Sequence, residues 1–138
     1  MRNKPNNYII LFLGMLLCST GHTEPNEGTL KCDRNLPIPS LLIGSWGRET
    51  EEKVVLYNYD KNGKFVGYID YKGQNEVWEF SASWKLENNV ISYVYDYIKL
   101  KGADEFHYKG HEDDDEIASI DCNELVLKSK SGFTKYYR

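Results

Sequence analysis

The sequence predicts an all-β protein: a single antiparallel meander of about eight short strands, preceded by a signal helix that is cleaved. Three observations carry this. Past residue 43 no run of ten or more residues keeps a helical period, and apolar residues alternate with polar ones instead. Turn-forming pairs rich in Gly and Asn recur at the spacing of short strands. The length, 138 residues, suits one domain with one modest core and excludes a two-domain enzyme. Aromatic residues make up 14% of the chain, too many for a disordered polypeptide. A formal charge of −4 without a Lys/Arg cluster argues against nucleic acid as a partner.

The first segment reads as an export signal. Arg2 and Lys4 supply a positive start, Tyr8 to Cys18 supply the apolar stretch, and Ser19, Thr20 and Gly21 supply small residues for cleavage. The apolar stretch is about 11 residues, short of the ~20 that span a bilayer as a helix. The expected organisation is a signal peptide at 1–21, a polar lead-in at 22–40 and a β domain at 41–138. The expected location is periplasmic or secreted. Leu16-Leu17-Cys18 superficially resembles a lipoprotein signal, but Leu17 stands where Gly, Ala or Ser belongs. No membrane association is therefore expected unless Cys18 is lipidated. With Cys18 removed, Cys32 and Cys122 remain, and an even pair in an exported chain implies a disulfide.

Leu36 to Leu42 is a Pro-rich apolar approach ending in one helical turn at Ser40 to Ile43. Strands follow at Gly44 to Glu49, Lys53 to Tyr59 and Lys64 to Tyr71, the latter two joined through Asn62-Gly63, a pair suited to positive φ. From Val77 to Leu86, the residues Trp78, Phe80, Ala82, Trp84 and Leu86 face one way and polar residues the other, the pattern of a half-buried strand. Lys72 to Asn75 and Glu87-Asn88-Asn89 make the adjoining turns, and Val90 to Ile98 is a Tyr-rich strand. Glu105 to Lys109 and Glu116 to Cys122 read as two further strands. Glu124 to Lys130 and Phe133 to Arg138 close the chain through Ser131-Gly132. Such a meander either closes into a barrel or stacks as a sandwich.

The order of several motifs resembles one family. Gly44-Ser45-Trp46 opens the first strand, Asn62-Gly63-Lys64-Phe65 forms a hairpin, and Trp84 to Ile91 fits a W-x-L-x-x-N-x-I step. Glu124 to Leu127 then leads to Tyr136-Tyr137-Arg138. This looks like the small lipocalin-like domains of exported bacterial proteins. The resemblance implies an up-and-down barrel plugged at one end by the N-terminal turn, with Trp46 beneath it and Arg138 over the indole ring. The charged stretch from Asp104 to Asp121 departs from the family pattern.

Catalytic signals are thin. No G-x-S-x-G and no HExxH occur, and Glu76, Glu79 and Asp96 lie on strand faces without an evident cleft. A non-enzymatic protein without cofactor or metal is expected. His107 and His111 beside Glu112 to Asp115 lack any metal-ligand spacing. The acids read as a solvated loop or as a patch (Asp113, Asp114, Asp115) facing a basic protein partner. On the alternation, Tyr93, Tyr95 and Tyr97 share a face with Ile91. Together with Tyr108 they form either a polar-aromatic cavity or an outer aromatic surface. Two functions follow. One is a carrier of a small apolar or aromatic ligand in the barrel mouth, where Gly67, Ala82 and Ser83 are the few small residues. The other, which the acidic stretch and the crowded interior favour, is a protein-binding module of inhibitor or immunity type.

Overall fold

The computed structural model describes residues 32–105 and 107–138. The expected signal segment and residues 22–31 of the lead-in lie outside them. The chain forms one short helix, α1 (Ile38–Leu42), and eight strands. These are β1 (Gly44–Glu49), β2 (Lys53–Tyr59), β3 (Lys64–Tyr71), β4 (Glu76–Glu87), β5 (Val90–Leu100), β6 (Glu112–Ile120), β7 (Glu124–Ser129) and β8 (Gly132–Tyr137). Each strand pairs antiparallel with the next, and Gly47 of β1 meets Tyr137 of β8 to close the ring. The fold is a closed barrel, and the sandwich alternative falls.

The alternation explains the core. Directly opposite residues in an antiparallel ladder share a face. Trp46 therefore lies inside with Tyr57, Tyr57 with Gly67, and Gly67 with Phe80. Trp46, Tyr59, Leu42, Ile91 and Leu125 are fully buried. Gly67 makes room for this packing: a Cβ there would stand 2.3 Å from the Leu56 carbonyl oxygen and 2.6 Å from the Phe80 ring. Ser83, grouped above with the small residues near the mouth, is exposed and points outward opposite Lys64 and Val94.

The hairpins depart from expectation in one detail. Of Asn62-Gly63, only Gly63 takes positive φ, whereas Asn88 (φ 48°) and Asn89 (φ 64°) both do. The latter is the backbone that suits a two-residue hairpin between twisted strands.

One end of the barrel is closed as the resemblance implied. α1 spans Ile38–Leu42 rather than starting at Ser40. The Trp46 indole N–H donates to the Leu42 carbonyl at 2.8 Å. The Arg138 guanidinium lies 4.1 Å from the Trp46 ring and donates to the carbonyls of Leu41 and Ile43. A disulfide joins Cys32 to Cys122, Cα to Cα 5.7 Å, across 90 residues of sequence. It ties the approach to α1 to the turn between β6 and β7. A loop of that length corresponds to about 4–5 kcal/mol in the chain-entropy account.

Two expected strands change. Glu105 to Lys109 is not a strand: His107 forms an isolated bridge to Ile98, within a loop bent by Gly102, Tyr108 and Gly110, all at positive φ. The acidic run is not a loop: Glu112 to Glu116 opens β6 and pairs with Val90 to Val94 of β5. On its other side β6 begins pairing with β7 only at Glu116, opposite Lys128. Among the described residues, Glu112 to Asp115 thus have a ladder on one side alone.

Candidate functional site at the barrel mouth

Among the described residues, the end opposite α1 is open. Inward positions of β2 to β5 carry aromatic and branched side chains up to the rim, where their rows end before the turns. Tyr57, Ile69, Tyr71, Trp78, Phe80, Tyr95 and Ile98 line a recess of about 320 Å³, and Tyr108 from the loop after β5 completes its wall. That loop is pinned to β5 by backbone bonds. His107 and Ile98 exchange N–H···O=C bonds at 2.9 Å, Tyr95 N–H donates to His111 at 2.9 Å, and Gly110 N–H donates to Tyr95 at 2.7 Å. The His107 ring sits 6.5 Å from Trp78, and the His111 ring 6.2 Å from Tyr95 and 5.8 Å from Tyr108. Tyr108 holds φ at 63°, a conformation that costs a non-glycine residue about 1–3 kcal/mol. The loop's hydrogen bonds offset that cost and keep its ring at the mouth.

Below the recess the aromatic rings stack in contact. Tyr57 meets Phe65 at 5.2 Å and Phe80 at 5.6 Å, both edge-on, and Phe65 meets Phe80 at 5.3 Å. Their hydroxyls pair rather than stay orphaned. Tyr59 and Tyr93 share a hydrogen bond of 2.7 Å, and Tyr136 donates to Tyr57 at 3.3 Å. Among the described residues no buried side-chain polar atom lacks a partner. Burial, the largest cause in each case, pushes the Tyr57, Tyr59 and Tyr93 hydroxyls well above the usual phenol range.

Two carboxylates adjoin this interior, Asp115 half-buried and Asp113 exposed. Asp113 lies opposite Tyr93 and Asp115 opposite Ile91, so both share the inward face of β6. Burial, followed by repulsion from Asp113, raises Asp115 to about 6, while the Tyr93 hydroxyl favours its charged form. Burial and then the charges of Asp113 and Asp115 raise Tyr95 to about 12.

The residues singled out from the sequence therefore divide. Tyr95 and Tyr108 line the recess, while Tyr93, Asp113 and Asp115 share the inward face of β5 and β6 beside it. Asp114 does not: it faces outward opposite Ser92, on the same side as Glu112 and Glu116. Tyr97 also turns out. Ala82 pairs with Tyr95 but Ser81 with Tyr97, which leaves Asp96 as the extra residue of a β-bulge. The bulge shifts the alternation by one, so Ile98 enters the recess. Tyr97 instead lies beside Leu56, Val66 and Tyr68 on the outer wall, with the Lys99 ammonium 5.5 Å from its ring. Asp96 accepts there from Lys64 and from Ser81 at 2.9 Å. Sequence reasoning placed Ile69, Tyr71 and Ile98 on strands but missed them as recess residues. For Ile69 and Tyr71 the parity with Phe65 was the available signal; for Ile98 the bulge removed it.

The barrel has a relative among solved structures. The chain is similar to a lipocalin-like protein from Bacteroides uniformis, with a TM-score of 0.52 and 15% sequence identity over 71% of this chain and 98% of that one. At that identity the likeness is one of fold: this is a lipocalin-like barrel. No protein-family model and no curated protein matches the sequence.

Proposed function

We propose that the protein is an exported, non-enzymatic binding protein that holds a small apolar or aromatic molecule in the barrel mouth. One observation carries this: an open recess of about 320 Å³, walled by five aromatic rings from strands and a sixth from a pinned loop. Small-molecule sites are concave, mostly apolar and span roughly 300–1,000 Å³. An eight-stranded barrel leaves room for side chains or for one small ligand. Here large side chains fill the plugged half and stop short of the other. The Cys32–Cys122 disulfide supports export to an oxidising compartment.

The test uses N-phenyl-1-naphthylamine, a neutral apolar fluorophore. Its emission on binding, excited by energy transfer from the indole of Trp78, is compared between the native chain and Ile69→Trp, which fills the recess. Saturable binding lost in the variant, at unchanged circular dichroism, supports the reading. Absence of binding, or equal binding to both, overturns it.

A second reading, a protein-binding module of inhibitor or immunity type, draws on the outer wall. A groove of about 430 Å³ is lined by Ser83, Lys85, Ser92, Tyr93, Val94, Glu112, Asp113, Asp114 and Lys130. Capture of a stoichiometric partner from periplasmic extract, lost on Asp114→Lys, would favour it; capture unaffected by that change would remove it.

A further inference from the structure

The recess has an electrical character beyond its apolar lining. Aromatic rings present a negative face, and a cation within about 6 Å of a ring centroid is attracted to it. Tyr57, Tyr71, Trp78, Phe80, Tyr95 and Tyr108 bring six such rings to one cavity. The carboxylates of Asp113 and Asp115, on the inward face of the adjoining β6, add full negative charge. Beside the burial that raises both hydroxyls, Tyr95 of the recess wall feels the charges of Asp113 and Asp115, and Tyr57 those of neighbouring tyrosines. The inward guanidinium of Arg48, on β1, acts on Tyr136 instead. The rim already displays the preference: Lys53, inward at the start of β2, holds its ammonium 5.6 Å from the Tyr71 ring centre.

We infer that the mouth selects an organic cation, an aromatic or apolar body carrying a protonated or quaternary amine, with the rings enclosing the body and Asp113 and Asp115 facing the charge. This rests on the mouth being a ligand site at all. It narrows the ligand from any small apolar molecule to one charge class. Both contributions have the same sign, because ring faces and carboxylates alike repel an anionic head.

The probes are three molecules of one shape: tryptamine, its neutral counterpart 3-ethylindole, and the anionic indole-3-propionate. Calorimetric titration at pH 7.5 into the whole chain should rank them in that order, with tryptamine about tenfold tighter than 3-ethylindole. In Asp113→Asn/Asp115→Asn, tryptamine affinity should fall to that of 3-ethylindole, whose own affinity stays unchanged. Equal or tighter binding of 3-ethylindole than tryptamine in the native chain overturns the charge preference and leaves the mouth site standing. Tightest binding by indole-3-propionate also overturns it, and points to Arg48 and Lys53 as the controlling charges. If none of the three binds while the naphthylamine probe does, the charge preference again falls. If the naphthylamine probe fails as well, the mouth site falls with it.

Discussion

Replacing Asp115 with Asn keeps the shape of the side chain and removes its charge. In the folded chain burial and Asp113 raise the carboxyl from its ordinary 3.8 to about 6. Each tenfold change in proton affinity is worth about 1.4 kcal/mol, so the full difference corresponds to about 3 kcal/mol. Asp115 keeps part of its surface in water, and solvent screening reduces this to roughly 1–2 kcal/mol. The sign follows from linkage. The folded state binds this proton more tightly than the unfolded chain, so the group costs nothing below about pH 4. Stability falls as pH rises from there through about 6, and the whole penalty is present above that. Asp113 and Asp114 on β6 deepen the penalty and Tyr93 on β5 relieves it. Tyr59, Tyr95 and Tyr136 face the same charge. Asp115→Asn should therefore be more stable than the native chain by roughly 1–2 kcal/mol at pH 8, with the gain shrinking to zero by pH 4. Urea unfolding followed by tryptophan emission at pH 8, 6 and 4 measures it. A variant less stable at pH 8, or a gain identical at all three values, would refute the reasoning.

Three further outcomes are expected. Gly67→Ala should destabilise the barrel by about 2–3 kcal/mol in thermal or urea unfolding, because its Cβ has no room between the Leu56 carbonyl and the Phe80 ring. A cost under about 0.5 kcal/mol would show that those strands move apart easily. Arg138→Ala removes a guanidinium from the Trp46 ring and from two carbonyls, and should lower stability by about 2 kcal/mol. The Trp46 emission should shift to the red as water reaches the plugged end. Reduction of Cys32–Cys122 should lower the urea midpoint by an amount equivalent to about 2–5 kcal/mol, and Cys32→Ser/Cys122→Ser should match the reduced chain.

The barrel was legible where one rule operates alone. Period-two alternation identified the inward face of β4, from Trp78 to Leu86, because every second residue there is large and apolar and no bulged residue interrupts β4 itself. The plugged end, with Trp46 and Arg138, and the closure of the barrel were legible only through the family resemblance, since a meander by itself is equally compatible with a sandwich until β1 meets β8. The mouth was only half legible, for two reasons. Asp96 is bulged out of β5, which reverses the facing of Tyr97 and Ile98. Bulges arise from the register of the partner strand and leave little trace in the strand that carries them. Four consecutive acids read as loop because isolated β-propensity disfavours them, yet they pair with Ser92, Tyr93 and their neighbours. Tertiary pairing overrides local preference there, and once the run is a strand its alternate members necessarily face the interior.

The half-open flank of β6 has a consequence for how molecules of this protein meet. A strand with one free row of amides and carbonyls is a template on which another chain can extend the sheet. Here the flank without a ladder is that of Glu112 to Asp115, where the Asp114 N–H donates to the Asp113 carboxylate at 3.0 Å, so two copies approaching flank to flank bring like charges together. Above the carboxylate range that repulsion keeps the molecules apart in concentrated solution; acidification removes it, and the same flank then becomes the place where fibre-like stacking would begin.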